Sequence, residues 1–483
     1  MIARRLGRSV VLLERGKHPR FAIGESSTPL ANLLLEDLSI RYNLPTLKPL
    51  SKWGTWQKAY PHLGCGLKRG FTFYHHQFGS RAAVDPERRD QLLVAASPND
   101  AISDTHWYRA DVDAFFVREA QNVGVDYLDE VRLENALEQT DEVKLQGTRH
   151  GRPLVISARF VVDATGPGGF LHRALSLPED ALPDLPETQA LYAHFTDVRR
   201  LDPTGDVPPY PVDDAAVHHV FDGGWIWVLR FNNGVTSAGV AATNAIFERF
   251  GLSDGEAGWQ RLLQALPTVH DQFASAIVVR PFIHAPRLSF RSGAIVGRRW
   301  ALLPSAAGFV DPLLSTGFPL VLLGVARLAE ILEDPAPWSA ALAVYAQQTE
   351  SELLATARLI GSLYATMANF PLFVSLTLLY FAAASFSETA RRLGRPHLAS
   401  SFLLHDHAAF QVQSLLARAR NQEEPQSLIS DIQRAIEPFN VAGLGDPQRR
   451  NWYPADAEDL LRAAPKLGAD RDEVARLLAR CGF

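Results

Sequence analysis

A chain of 483 residues, 47% hydrophobic and 21% charged, has the means to bury a large core and exceeds the ~100–200 residues of one typical domain, which excludes a disordered tail or a small module. Its net charge of −5 comes from interspersed charges with no basic block, so no nucleic-acid surface is expected. Cys65 and Cys481 stand far apart without CxxC or Cys/His spacing, which argues against a disulfide framework or a zinc site and fits a reducing cytoplasm.

The opening "MIARRLGRSVVLLERGKHPR" has VVLL as its apolar core, short of the ~7–15 residues of an export signal. "SVVLLE" reads instead as a strand ending in Glu14. In a dinucleotide-binding βαβ unit such an acid bonds ribose hydroxyls about 20 residues after a glycine-rich turn that cradles the pyrophosphate. No such turn precedes Glu14, and "MIARRLG" looks like the second half of the helix that follows one. The expectation is a start codon set about twenty residues too far downstream, judged from that spacing.

"RFAIGESSTPL" follows at 20–30, with Gly24 ahead of Ser26 and Ser27. It reads either as a tight turn meeting a ligand or as a helix cap. Lys68 stands in "CGLKRGFTFYHHQFG", where a lone lysine is normally a solvated charge; the adjacent His75 and His76 lack further spaced ligands, so no metal is expected. Arg109 in "WYRADVDAFFVREA" precedes a helix, and "ARFVVDATG" is a second strand ending in an acid, Asp163, with Gly166 in the turn after it.

Residues 189–243 are β-rich. "WIWVLRF", Asn232-Asn233-Gly234 and "VTSAGVAA" form a predicted hairpin, with Trp225 and Trp227 on one strand face, where they would also serve as core fillers. "RRWALLPSAAGFVDPLLSTGFPLVLLGVARLAEIL" is strand, long turn and helix, with Pro319 in the first helical turn. The amides of Thr316 and Gly317 and the positive end of that helix converge where an anion sits well. From Trp338 onward the chain reads as helical. Its uncharged stretch Leu359–Ser387 is expected to be buried helix, since Pro371 and several Ser and Thr interrupt it, and membrane contact is not expected.

"RFAIGESSTPL", "DATGPGGFLHRAL" at 163–175 and "GFVDPLLSTG" at 308–317, in this order, resemble the flavin-dependent halogenase branch of the FAD-dependent monooxygenases. The resemblance spans about residues 1–335. It implies an α/β fold: an FAD-binding Rossmann-like domain over 1–185 and 290–335, interleaved with a β-sheet substrate domain over 186–289, and a C-terminal helical region over 336–483. It also implies the site. FAD falls to Glu14, Arg15, Gly24, Glu25, Ser26 and Arg109 on one side, and to Asp163, Gly166, Ser305, Asp311, Gly317 and Phe318 on the other. Halide falls to Thr316 and Gly317, and Trp225 and Trp227 face substrate. Lys68 is the catalytic lysine that receives halogen from diffusible hypohalous acid and directs it at an electron-rich aromatic ring. Reduced FAD is implied to come from a separate flavin reductase, and the small aromatic substrate to arrive free or on a carrier protein.

The sequence departs from the family at three places. Leu229 and Arg230 replace the Ile-Pro of a WxWxIP signature, Pro304-Ser305 stands where many relatives have Gly-Asp, and Leu314 replaces the glutamate of indole-specific members. The last favours phenols or pyrroles, or a base supplied elsewhere. The first keeps open a flavin hydroxylase or reductase of the same fold, and the missing glycine turn keeps open an inactive homologue.

Overall fold

The computed structural model describes residues 1–81, 85–201, 207–399, 409–421 and 424–483. The strand predicted at 9–14 forms as Val11–Leu13, parallel to Asp126–Leu128, and the one predicted at 158–166 forms as Val161–Asp163, parallel to Trp300–Leu302. These two pairs do not join: each is a two-stranded sheet. Among the described residues no strand bridges them, and Val11, Leu12 and Val162 keep 36%, 40% and 42% of their surface exposed. Apolar strand residues with that much exposure mark a parallel layer that lacks cover, since such sheets are normally buried on both faces.

The larger sheet has eight strands, in spatial order Ile277–Ala285, Thr188–Thr196, Thr236–Thr243, Gly224–Arg230, Ala216–Phe221, Gly70–His75, Gln91–Ala95 and Trp452–Tyr453. The predicted hairpin is its centre. Arg230 pairs with Thr236 across a turn whose Gly234 has φ +81°, a conformation that glycine adopts without steric cost. The sheet does not respect the expected substrate-domain limits of 186–289. It takes two strands from before residue 100 and one from after 450, so these segments fold as one interleaved body.

The C-terminal region is helical as expected, with long helices Ser339–Thr366 and Phe370–Arg392. The second is apolar enough to span a membrane by length and composition, but 78% of its most apolar window is buried inside the protein. Phe373 and Phe381 pack on Phe73 of the sheet, and Phe381 also on Phe71, which explains the uncharged stretch as core. The helical region therefore roofs the sheet face from which Lys68 is reached.

Candidate active site

Lys68 ends the strand Cys65–Lys68, which pairs antiparallel with Asp104–Trp107, so that Lys68 lies directly opposite Asp104. Opposed residues share a face of the ribbon, which turns both side chains inward; both are buried, Lys68 with no exposed surface. The ammonium donates to Ser26 Oγ at 2.8 Å and Ser27 O at 2.6 Å, and lies 3.8 Å from the centre of the Phe71 ring. Burial pushes Lys68 well below the usual lysine range, opposed by the charge of Asp104. Burial likewise pushes Asp104 up, opposed first by Lys68 and helped by Glu388. Asn32 donates to one Asp104 oxygen at 2.7 Å, while Oδ2 finds no partner among the described residues.

The Gly24–Ser27 loop is stitched to the Asp104–Trp107 strand. Ser27 N donates to Thr105 O, Trp107 N donates to Glu25 O, and Ser26 bridges His106. Gly24, with φ +90°, is exposed at its tip. Arg109, at the start of the Arg109–Asn122 helix, donates to Ile23 O at 2.8 Å and Gly24 O at 3.0 Å and pairs with Asp113 at 2.7 Å. It props the loop from beneath. Thr28 then caps the following helix, a role that falls to it and not to Ser26. Glu25 is buried against His194, Oε1 to Nε2 3.0 Å, a partner 169 residues away that no local pattern could disclose.

Trp107 joins this loop to the second half of the site, since Phe318 packs edge-on against it at 4.8 Å. Phe318 and Gly317 open the helix Gly317–Glu333, with Thr316 buried just ahead. Asp311 accepts from Leu313 N at 2.9 Å through one oxygen and from the Tyr364 hydroxyl at 2.9 Å through the other; burial pushes its carboxyl up to about 7. Each of its oxygens thus accepts from protein, and the residue shapes the turn. The same holds for Asp163, whose oxygens accept from Thr165 N, Thr165 Oγ1 and Leu171 N and thereby fold the Gly166 turn. Leu303 N donates to Asp163 O, which sets the half-buried Ser305 beside that turn.

A flat cofactor needs bare backbone on both sides, and this is where the residues fit one. A Cβ added at Gly166, where φ is +88°, or at Gly317 would meet nothing within 4 Å, and one at Gly24 would meet only the Arg109 guanidinium at 3.3 Å. Such space suits close approach by FAD. Glu14 is at the strand end as expected, with Oε1 accepting from Gly16 N at 2.7 Å and Oε2 3.6 Å from Arg20; Arg15 is exposed.

Trp225 and Trp227, expected to face substrate, are both buried. They fill the core, Trp225 against His218 at 5.1 Å and Trp227 at 5.7 Å, on a strand whose opposite face, with Ile226 and Val228, is buried as well. A largely apolar cavity of about 150 Å³ is bordered by Thr28, Leu30, Phe71, Tyr380, Phe381 and Glu388 and by residues of the 441–460 segment. Phe71 is common to both: the Lys68 ammonium lies over its ring and the cavity borders it. Sequence reasoning missed Asp104, Phe71, Tyr380 and Glu388. Only the aromatic run after Lys68 hinted at one of them.

A family model described as tryptophan halogenase matches residues 82–370. Monodechloroaminopyrrolnitrin halogenase PrnC of Pseudomonas fluorescens is 29% identical over 337 residues, covering 67% of this chain and 58% of that protein. Tetracycline 7-halogenase of Kitasatospora aureofaciens is 28% identical over 398 residues, covering 78% of this chain and 69% of that one. The chain thus spans little more than half of the first relative's length. A solved structure of halogenase PltM with phloroglucinol and FAD superposes with a TM-score of 0.81 at 22% identity, over 93% of this chain and 96% of that one, which shows a common fold.

Proposed function

The chain belongs to the tryptophan halogenase family, and from that premise we propose that it uses reduced FAD, oxygen and a halide to halogenate an electron-rich aromatic ring of phenol or pyrrole type. The observation that carries this reading is the position of Lys68, buried between the Gly24–Ser27 loop and the aromatic wall of a ring-sized cavity. At about 150 Å³ the cavity is smaller than the ~300–1,000 Å³ of drug-sized sites, which favours a single small ring.

FAD, when bound in its reduced form, supplies with oxygen the two-electron oxidation of halide to hypohalous acid. Gly24, Gly166 and Gly317 leave the backbone open to it, and the Thr316 and Gly317 amides at the helix start hold the anion. Lys68, whose basicity burial lowers, takes the electrophilic halogen at Nζ as water leaves. The N–X bond then breaks as a ring C–X bond forms, and the ring proton passes to a base. Glu388 on the cavity wall is the carboxylate oriented for that proton, with Oε1 held by Arg392 Nε at 2.6 Å. Asp456 also borders the cavity, but its Oδ1 caps a helix by accepting from Glu458 N. The base that Leu314 removed from the turn is in this way supplied from the helical region.

The test supplies reduced FAD through a separate flavin reductase and uses phloroglucinol as the aromatic probe, with and without bromide. A product carrying the paired bromine isotope peaks only when bromide is present is the expected result. Oxygenated product formed without bromide would favour a hydroxylase and overturn the proposal.

A further inference from the structure

We propose that Tyr364 and Tyr380 are positioning residues for the halide turn, through which the C-terminal helical region sets the site's halide affinity. This rests on the reading of Thr316 and Gly317 as the halide site. The turn ahead of them is unusual. Leu314, with φ +65° and no exposed surface, and Ser315, with φ +55°, are consecutive non-glycine residues in left-handed conformation. Side-chain-bearing residues persist there only where their surroundings over-determine them, and such strain collects at ligand-holding turns.

The surroundings here come from two sources. Local bonds run from Leu313 N to Asp311 Oδ1 at 2.9 Å and from Ser315 N to Pro312 O at 3.1 Å. The remaining two come from the helical region. Tyr364, on the Ser339–Thr366 helix, donates to Asp311 Oδ2 at 2.9 Å, and Tyr380, on the Phe370–Arg392 helix, donates to Leu314 O at 2.9 Å. All four groups are buried, and burial pushes both phenols up, so they stay protonated donors. Tyr380 thus fixes the peptide next to the Thr316 amide directly, and Tyr364 fixes the turn one step further back through the Asp311 carboxylate that accepts from Leu313 N; the convergence of the Thr316 and Gly317 amides on an anion depends on that backbone. Tyr380 also borders the substrate cavity, which puts one side chain between the two ligand positions.

The test uses the full chain with Tyr364→Phe and Tyr380→Phe, each of which keeps the ring and removes one hydroxyl. One net hydrogen bond corresponds to about a two- to tenfold change in affinity. The expected result is a bromide KM raised by about that factor in each variant, with kcat at saturating bromide held within about twofold in Tyr364→Phe, whose side chain is not among those that border the cavity, a split that a general loss of packing does not produce. A second readout needs no turnover: crystals soaked in bromide are expected to show anomalous density at the Thr316 and Gly317 amides, weakened in both variants. Unchanged bromide KM with unchanged density, or loss of kcat and melting temperature at constant KM, overturns the clamp. If the natural sequence binds bromide at the amides but yields no brominated product, the halogenase reading fails and occupancy alone judges the clamp. If it binds no bromide there, the clamp is overturned.

Discussion

Lys68→Met is expected to lower bromination of an aromatic probe by roughly 100-fold or more, the scale lost when a reacting group is no longer positioned. Oxidation of bromide continues. Methionine keeps an unbranched apolar stem but has neither the ammonium that lies over Phe71 nor a nitrogen to receive halogen. It also leaves Ser27 O without its donor, at a cost of about 1–3 kcal/mol for a buried acceptor, while Asp104, already pushed up by burial, takes a proton in place of its lost counter-charge. Some loss of melting temperature therefore accompanies the variant, and activity is compared well below it. The measurement pairs two readouts: brominated probe by mass spectrometry, and free hypobromous acid trapped by monochlorodimedone. Lost ring bromination with continued trapping is predicted. Unimpaired ring bromination would remove Lys68 from the mechanism.

Gly317→Val is expected to fold normally and to lose flavin and halide. Its φ lies outside the left-handed region, an added Cβ meets nothing within 4 Å, and glycine is a poor residue within a helix, so the backbone accepts a side chain there. The open space is the ligand's in this reading, and filling it with branched carbon is overpacking, worth about 1–3 kcal/mol or a 5- to 150-fold loss of affinity. FAD affinity and bromide-dependent product, each followed in the variant with its melting temperature, check it. An unchanged affinity with unchanged product means the space beside Gly317 serves neither ligand.

What could be read from the sequence was what neighbours along the chain determine. The short strands ending in Glu14 and Asp163, the Asn233-Gly234 hairpin and the helix after Gly317 all formed, because their signals are apolar runs, turn residues and a helix start. Residue type also singled out Lys68 through its motif. What could not be read was which polar groups the fold consumes. Asp163 and Asp311 each bond an amide two residues on, because a carboxylate that close satisfies it locally, whereas Arg109 reaches carbonyls of the Gly24 loop far along the chain. Asp104 faces Lys68 only through strand register, and Glu25 meets His194 across the sheet. Trp225 and Trp227 share a face as the period of a strand requires, but both faces of that strand are buried, so alternation did not disclose what either one meets. The helical region also supplies Tyr364 and Tyr380, from a stretch whose lack of charge disclosed only that it is core, and Glu388 directly after it.

The separation of the two parallel strand pairs bears most on whether this chain holds its cofactor, because the loops that meet FAD hang from them and from the Gly317 helix. Titration of the purified 483-residue chain with FAD, followed by quenching of flavin fluorescence, is the direct measurement. Saturable quenching with one FAD per chain, lost in Gly317→Val, is predicted from the open backbone at Gly24, Gly166 and Gly317. Fluorescence that follows free FAD throughout would contradict it.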